Sequence, residues 1–195
     1  MAERTERRQR RIREVLEKRQ PDLTLIIDNI FDPHNVSAIL RSCDAFGVGT
    51  VHLYYTQEAF PTIGKKTSAS AMKWVEQKRC SDGPALLRDL SASGHQILGA
   101  CLDQRAKPVT DWDLSRPTAV ILGNEHRGLS PELTPLVDGT LYIPMQGMVQ
   151  SLNVSVAAAV ILYEAWRQRQ ALGMFRRPAY GRDTLDQLER QWSEK

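Results

Sequence analysis

The sequence lacks the residue clusters that mark several common classes of site. Its 195 residues include only three cysteines, which stand far apart and form no CxxC pair, so their spacing predicts neither a disulfide framework nor a zinc site. The four histidines form no HExxH, and no serine lies within a GxSxG elbow. Metallohydrolase and serine-hydrolase functions therefore lose their main support, and we expect free, buried thiols and no bound metal.

Long hydrophobic runs are missing as well. No apolar stretch approaches the roughly 18 residues that a membrane-spanning helix needs, and the first 19 residues have no apolar core of the kind that a secretory signal requires. Hydrophobic residues make up 42% of the chain and charged residues 25%, which is close to the globular average and disfavours disorder. The composition predicts a soluble protein of the cytoplasm with no membrane partner.

Positive charge is concentrated at the two ends of the chain. Residues 1–20 carry eight Lys and Arg against four Asp and Glu, and residues 165–195 carry seven against four, whereas the centre carries eleven against fifteen. Arginine dominates both ends, and its planar guanidinium binds phosphate and stacks on bases. The ends therefore indicate a nucleic-acid partner. The alternative is a pair of solvated helices whose charges pair at helical spacing, the spacing at which Glu3 and Arg7 stand.

Short apolar strands alternate with helical segments through the centre of the chain. The pattern predicts strands over residues 23–28, 51–55, 74–78, 96–102, 119–122 and 141–144, and helices over residues 36–46, 84–92 and 153–171. A further helix is predicted to begin at Ser130 and Pro131. This alternation predicts an α/β domain, residues 21–171, with a mostly parallel sheet and helices on both faces. Residues 1–20 and 172–195 are predicted to add short helical extensions.

Three polar loops follow predicted strands, where ligands of parallel sheets bind. They cover residues 31–41, 123–128 and 144–153. The first has no GxGxxG, and GNEHRG at 123–128 is followed by Leu-Ser instead of Lys-Ser/Thr, so neither a Rossmann nor a P-loop nucleotide site is supported. Each polar residue also has a plain interpretation: Asn35 and Asn153 as helix N-caps, Arg41 as part of a surface ion pair, and Glu125 as a cap or as the partner of Arg127.

Together the three loops resemble the motifs of the SpoU, or TrmH-like, RNA ribose 2'-O-methyltransferases of the SPOUT superfamily. DPHNVSAILRSCDAFGV resembles the first motif, AVILGNEHRGLS the second and LYIPMQGMVQSLNVSVAAAVILYE the third, in that order along residues 22–165. The resemblance implies a SPOUT-type catalytic domain with a deep C-terminal trefoil knot. It also implies S-adenosyl-L-methionine as the methyl donor and a homodimer as the assembly.

The resemblance further implies roles for individual residues. Arg41 would assist deprotonation of the ribose hydroxyl while it engages the target phosphate, although an arginine pKa above about 12 makes it an awkward base. The other catalytic residues implied are Asn35, Glu125, Ser151 and Asn153. Cofactor contacts are implied for Ala100, Leu102, Gly123, Asn124, Ile143, Met145 and Leu152, and phosphate contacts for Arg8, Arg11, Arg167, Arg169 and Arg177. Which protomer supplies Arg41 to which cofactor stays open.

The extensions bear on the choice of substrate within the family. A short basic first helix, no large RNA-binding domain ahead of the catalytic one, and an arginine-bearing last helix are most similar to the members that methylate guanosine 18 in the D-loop of tRNA. Two alternatives stay open: a 2'-O-methyltransferase of ribosomal RNA, and a non-catalytic RNA-binding protein on the same fold. The second is disfavoured because a scaffold without catalysis has no chemical need for Asn35, Arg41, Glu125, Ser151 and Asn153 together.

Overall fold

The computed structural model describes residues 2–61 and 71–195, with side chains from Thr5 onward. Within these residues the chain forms the helices α1 (Ala2–Leu16), α2 (Pro33–Ala45), α3 (Ala71–Trp74), α4 (Gly83–Ala92), α5 (Val154–Ala171) and α6 (Arg182–Ser193). The strands are β1 (Leu23–Asp28), β2 (Thr50–Tyr54), β3 (Glu76–Cys80), β4 (Gln96–Ala100), β5 (Lys107–Pro108), β6 (Thr118–Leu122) and β7 (Gly139–Tyr142). Much of the predicted loop and short helix at 56–73 lies outside the described residues.

The strands form one parallel sheet in the order β3-β2-β1-β6-β4-β7-β5. From β1 the chain moves outward to β3, returns to β4, and then inserts β6 between β1 and β4 and β7 between β4 and β5. The predicted parallel α/β sheet is confirmed. The trefoil knot that the resemblance implies stays a prediction.

Helices cover both faces of the sheet, as predicted. Leu25 and Ile27 of β1 pack in a core with α2 and α5, whereas Ile26, which points to the opposite face, packs with Leu87 of α4. Every residue of β1 is buried. A strand covered on both faces needs a continuous apolar run, which explains why β1 begins and ends where the run LTLIID predicts.

The start of α2 differs from the prediction. Asp32 caps this helix, because its side chain accepts a hydrogen bond of 2.8 Å from the His34 N–H. Asn35, the predicted cap, lies inside the helix. The plain interpretation of Asn35 as a cap is therefore wrong, and its side-chain amide is available for other contacts.

The helix predicted from Ser130 and Pro131 is wrong. These residues begin a turn, which is followed by the short 3-10 helix Thr134–Leu136. Pro135 has no N–H to donate to the carbonyl four residues earlier, so an α-helix cannot continue through it. The two-residue strand β5 carried no sequence signal, and β3 begins two residues later than predicted.

The two terminal extensions pack on each other. Ile12 and Leu16 of α1 form a small apolar core with Leu185 and Trp192 of α6. Arg13 joins the same two helices through Asp186 at 2.6 Å and Glu189 at 3.1 Å. The amphipathic patterns of both predicted extensions are thus explained by their mutual burial. The domain boundaries at residues 20 and 171 stay predictions.

One predicted phosphate contact is contradicted by burial. Arg169 is 1% exposed on α5, and its guanidinium donates to Asp22 at 2.6 Å, to the Leu114 carbonyl at 3.0 Å and to the Arg116 carbonyl at 2.9 Å. A buried guanidinium that donates to three protein acceptors cannot present a pair of N–H groups to a phosphate. Arg169 therefore fastens α5 to the loops before β1 and β6.

The cysteines are free, as predicted, but only Cys43 is fully buried, whereas Cys80 and Cys101 are half-buried. Within residues 2–61 and 71–195, no helix combines the length and the apolar character needed to cross a membrane.

We expect Arg169→Ala to lower the free energy of unfolding by about 3 kcal/mol, because the substitution removes a buried side chain and leaves the Leu114 and Arg116 carbonyls without their donor. Arg177→Ala, at an exposed position, is the matched control and should change it by less than about 0.5 kcal/mol. Urea denaturation at pH 7 measures both. A stable Arg169→Ala protein with weakened RNA binding would contradict the structural role.

Candidate active site

A cavity of about 400 Å³ opens at the carboxyl ends of three neighbouring strands. Ala100, Leu122 and Tyr142 mark the ends of β4, β6 and β7, and Ala157 and Ile161 of α5 close one side. Residues 150–154, which lead into α5, line the remaining side. Open parallel sheets bind ligands at this edge, and the volume is that of an ordinary small-molecule site.

Six of the seven residues predicted to hold the cofactor line this cavity: Ala100, Gly123, Asn124, Ile143, Met145 and Leu152. Leu102 does not line it and is 67% exposed. The main-chain contact that the resemblance implies for Leu102 stays a prediction. Cys101, which the sequence analysis did not select, lines the cavity directly after the end of β4.

Three of the predicted catalytic side chains form a continuous hydrogen-bonded network beside the cavity. Asn35 donates through Nδ2 to Glu125 Oε1 at 2.7 Å, and Asn153 donates through Nδ2 to Asn35 Oδ1 at 3.0 Å. Glu125 also accepts from the Phe31 N–H at 3.0 Å. The three polar loops, which lie up to 118 residues apart in sequence, therefore meet at one place.

The Glu125 carboxylate is held in its charged form. Partial burial raises its pKa, but hydrogen bonds from the Asn35 amide and the Phe31 N–H outweigh burial and leave the pKa below its usual value. Glu125 is therefore an acceptor at neutral pH. A carboxylate that accepts from Asn35 Nδ2 fixes which way the Asn35 amide faces.

Asn153 has both a structural and a site role. Its Oδ1 caps α5 by accepting from the Ser155 N–H at 2.8 Å and the Ser155 hydroxyl at 2.6 Å. The predicted N-cap is thus confirmed. Because Oδ1 serves the helix, Nδ2 faces the other way and donates to Asn35.

Ser151 lines the cavity two residues before Asn153. Arg41 lies apart from the network, exposed on α2 and six residues beyond Asn35, which is about 9 Å along the helix axis. Arg41 forms no hydrogen bond or ion pair with the part of the chain that the structure describes. The structure therefore places four predicted catalytic residues at or beside the cavity, and among residues 2–61 and 71–195 it shows no partner for the Arg41 guanidinium.

A buried polar cluster behind the network was missed by the sequence analysis. Asp28 ends β1 and Asn29 follows it, and their side chains form hydrogen bonds with each other and with Ser130. Asn29 has a φ of 51°, a left-handed conformation that non-glycine residues rarely adopt. Their position in the sequence is the signal that could have identified them: two polar residues stand at the carboxyl end of the apolar strand β1, just before the first polar loop.

The residues of the cavity fit the adenosyl and methionine parts of S-adenosylmethionine. The cavity is lined mostly by apolar side chains and by main-chain groups at strand ends, and proteins commonly bind ligands of this size with such a lining. A Cβ on Gly123 would lie 2.5 Å from the Gly128 carbonyl carbon and oxygen, so only glycine permits the close backbone approach that shapes one wall.

Two other kinds of chemistry find little support at this site. In the described part of the chain, no three His, Cys, Asp or Glu side chains converge as they would around a metal ion. Burial and the neighbouring Asp103 raise the pKa of Cys101 to about 11. That thiol therefore stays protonated at neutral pH and is a poor nucleophile.

The geometry agrees with what comparison with known proteins shows. The family model of the SpoU rRNA Methylase family matches residues 22–163, which include the cavity, the network and all three polar loops. The chain belongs to the SpoU family. Two of the curated relatives match almost the whole chain: a tRNA (guanosine(18)-2'-O)-methyltransferase of Thermus thermophilus is 45% identical over 195 residues, all of both chains, and that of Aquifex aeolicus is 39% identical over 96% of this chain and 89% of its own.

Solved structures of SpoU proteins share the fold. The TrmH/SpoU tRNA modifying enzyme of A. aeolicus has a TM-score of 0.91 and 38% identity, over 97% of this chain and 96% of that chain. The SpoU methyltransferase AviRb of Streptomyces viridochromogenes, solved with AdoMet, has a TM-score of 0.69 and 30% identity, over 78% of this chain and 62% of that chain.

The remaining arginines predicted to bind RNA differ in availability. Arg8, Arg11 and Arg177 are exposed, and Arg11 lies 3.6 Å from Glu14. Arg167 donates to Glu164 at 2.7 and 2.8 Å while about half of its side chain stays exposed. These four stay predicted phosphate contacts.

We expect Glu125→Gln to lower the free energy of unfolding by about 1 kcal/mol at pH 7, because a neutral amide is a weaker acceptor than a carboxylate. A depressed folded-state pKa stabilises the protein above the ordinary glutamate range, and this stabilisation is lost as pH falls through the folded-state value. The difference from wild type should therefore shrink below about pH 4. Urea titrations across pH measure it, with Glu14→Gln as an exposed control. A difference that does not change with pH would contradict the role of the charge.

Proposed function

We propose that this protein transfers a methyl group from S-adenosyl-L-methionine to the ribose 2'-hydroxyl of guanosine 18 in the D-loop of tRNA, in the cytoplasm. The observation that carries the proposal is the Glu125–Asn35–Asn153 network at the side of a cofactor-sized cavity. Full-length relatives with 39% and 45% identity that are tRNA (guanosine(18)-2'-O)-methyltransferases support the choice of substrate.

The main chain at Ala100, Gly123 and Ile143, with the side chains of Met145 and Leu152, would hold the cofactor. When bound, S-adenosylmethionine supplies an electrophilic methyl group on a sulfonium. The protein's own task is to bring a weakly nucleophilic hydroxyl into line and to favour loss of its proton. Both tasks fall to residues beside the cavity.

The two asparagine amides orient the target ribose. Each Nδ2 carries two N–H groups and spends one inside the network, Asn35 on Glu125 and Asn153 on Asn35. One N–H of each amide is left for a ribose or phosphate oxygen. Glu125 holds the Asn35 amide in the orientation that makes this possible, and Ser151 adds a hydroxyl on the same side of the cavity.

Arg41 binds the phosphate next to the target ribose and assists deprotonation of the hydroxyl. Its guanidinium has no protein partner among the described residues, so no internal ion pair must break before RNA binds. Because a guanidinium carries only donors and keeps its charge in proteins, Arg41 acts mainly as a fixed positive charge that stabilises the developing alkoxide.

The exposed arginines of the two ends supply affinity for tRNA. Arg8 and Arg11 lie on α1, which packs against α6, so the basic ends form one surface although they are distant in sequence. Phosphate contacts of this kind give salt-sensitive binding with little sequence information. Recognition of guanosine 18 then rests on the shape of the folded tRNA around the catalytic network.

The protein acts as a homodimer in this proposal. Val156 and Tyr163 lie seven residues apart on α5, on one face of the helix, and about half of each is exposed. Leu152, just before the helix, adds exposed apolar surface. An exposed apolar stripe next to a cavity is typical of a protein interface, and a second copy of this chain is the proposed occupant.

The proposed function predicts methyl transfer from labelled S-adenosylmethionine to an unmodified tRNA transcript, with 2'-O-methylguanosine mapped at position 18. Arg41→Ala should lower kcat by roughly 100-fold or more, because neither phosphate nor alkoxide is then neutralised. A transcript with adenosine at position 18 serves as the substrate control. Label on ribosomal RNA but not on tRNA would contradict tRNA as the substrate. RNA binding without methyl transfer to either RNA would contradict the proposal that the protein is an enzyme.

Arg11→Ala should weaken tRNA binding and reduce the slope of log affinity against log salt by about one unit, because one phosphate contact is lost. Glu14→Gln removes the carboxylate beside Arg11 and should leave tRNA affinity equal or higher. Filter binding from low to high salt measures both variants. Calorimetric affinity for S-adenosylmethionine should not change, and its loss in Arg11→Ala would contradict the assignment.

A further inference from the structure

The turn that carries Glu125 is hydrogen-bonded at both ends to two consecutive residues at the carboxyl end of β1: Asp28, the last residue of the strand, and Asn29, which follows it. At its start, Asn124 donates through Nδ2 to the Asn29 carbonyl at 2.6 Å. At its end, Ser130 donates to the Asp28 carboxylate through its N–H at 2.7 Å and its hydroxyl at 2.6 Å. Both contacts are buried.

We infer that Asn29 and Asn124 are positioning residues for methyl transfer, which act by placing Glu125 against Asn35. The inference rests on the proposed function for its effect on catalysis. It adds residues that touch neither RNA nor the reacting atoms, and it gives the Asn124 side chain a different role from the cofactor contact predicted for that residue.

An unusual backbone conformation at Asn29 points its carbonyl toward Asn124 Nδ2. Its φ of 51° lies in the left-handed region, where asparagine is tolerated better than most residues. Its side chain fixes that conformation: Oδ1 accepts from the N–H groups of residues 56, 57 and 58 at 2.9, 2.9 and 3.1 Å. With an ordinary extended backbone, the carbonyl would turn away from Asn124.

Asn124 shapes the turn as well as anchoring it. Its Oδ1 accepts from the His126 N–H at 2.9 Å and the Arg127 N–H at 3.1 Å, and its backbone pairs with Gly128 in both directions. The residue is 6% exposed, and its Oδ1 and one of its two Nδ2 hydrogens are used within the protein. One amide thus sets both the form of the turn and its place, and Glu125 is the next residue along.

The Glu125 contacts depend on that placement. They span 2.7 Å to Asn35 and 3.0 Å to the Phe31 N–H, so a shift of the turn by about 1 Å takes both beyond hydrogen-bond length. A misplacement of that size at a catalytic site lowers rates by about 100-fold. The effect should fall on kcat, because Asn29 and Asn124 do not meet the tRNA.

The test is kcat of Asn124→Asp, which keeps both acceptor contacts and replaces the N–H donor to Asn29 with a carboxylate oxygen that faces the Asn29 carbonyl. We expect kcat to fall by about 10- to 100-fold, with KM for tRNA within about twofold of wild type. Tyr54→Phe is the matched control. It removes a 2.7 Å hydrogen bond to Glu132 at the end of the neighbouring strand and should leave kcat unchanged. Wild-type kcat in Asn124→Asp would overturn the inference.

A double-mutant cycle separates positioning from general loss of structure. If Asn124 acts through Glu125, adding Asn124→Asp to Glu125→Ala should lower kcat by less than about twofold, because the contact it supports is already gone. Two full, multiplicative losses would instead show that Asn124 acts independently of Glu125, and the inference would be wrong.

Two substitutions at Asn29 test the same inference if the buried carboxylate of Asn124→Asp prevents folding. Asn29→Gly and Asn29→Ala lose the same side-chain contacts, but only glycine adopts the left-handed conformation without strain. We expect Asn29→Gly to keep at least about tenfold more kcat than Asn29→Ala. Equal values for the two would contradict a role for the aimed carbonyl.

Hydrogen exchange distinguishes this inference from the proposed function. The Phe31 N–H, which donates to Glu125, should exchange faster in Asn124→Asp, or in Asn29→Ala, than in wild type and in Tyr54→Phe. A wild-type protein without methyl transfer would refute the proposed function, and exchange at Phe31 would still decide the placement of Glu125. Unchanged exchange in a folded variant would overturn the inference.

Discussion

The arrangement of the site depends on one acceptor, the carboxylate of Glu125. It receives hydrogen bonds from the Phe31 N–H and the Asn35 amide, and Asn35 in turn receives one from Asn153. Three loops from different strand ends meet through these bonds. Because the same bonds keep the pKa of Glu125 below its usual value, the acceptor stays charged at neutral pH and the orientation of both amides is fixed before any ligand binds.

The arginines divide into two groups with different physical roles. Arg13, Arg19 and Arg169 are spent on the protein: Arg19 and Arg169 are almost completely buried, and each pairs with a carboxylate and with backbone carbonyls. Arg8, Arg11, Arg41 and Arg177 remain exposed. The net charge of +3 therefore does not describe what RNA meets, because the buried arginines cancel their carboxylate partners while the exposed arginines keep their field.

The sequence predicted the sheet and the neighbourhood of the site well, and the contacts within them poorly. The apolar run of β1 and the three loops at strand ends follow from local patterns, and six of the residues predicted to contact the cofactor line one cavity. Arg169 illustrates a contact that the sequence could not predict. It lies two residues from Arg167 on the same helix and carries the same charge, and only its burial in the folded protein distinguishes the two. Asp28, Asn29 and Ser130 were missed because their role arises from bonds across about 100 residues of chain, which no local pattern encodes. The wrong helix prediction at Ser130 has a local cause. Pro135 has no N–H to donate, so the sequence itself already indicates that an α-helix cannot continue through this residue.

A crystal structure of the protein with S-adenosylhomocysteine, the demethylated form of the cofactor, tests the central claim most directly. The account predicts the ligand in the cavity between the ends of β4, β6 and β7, with its sulfur on the side of the cavity where Asn35 and Asn153 lie, and with the hydrogen bonds of Glu125 intact. A ligand bound elsewhere, or a ligand in the cavity with its adenine against Asn35 and Asn153, would contradict the account, because the ribose hydroxyl held by these amides would then lie away from the methyl group.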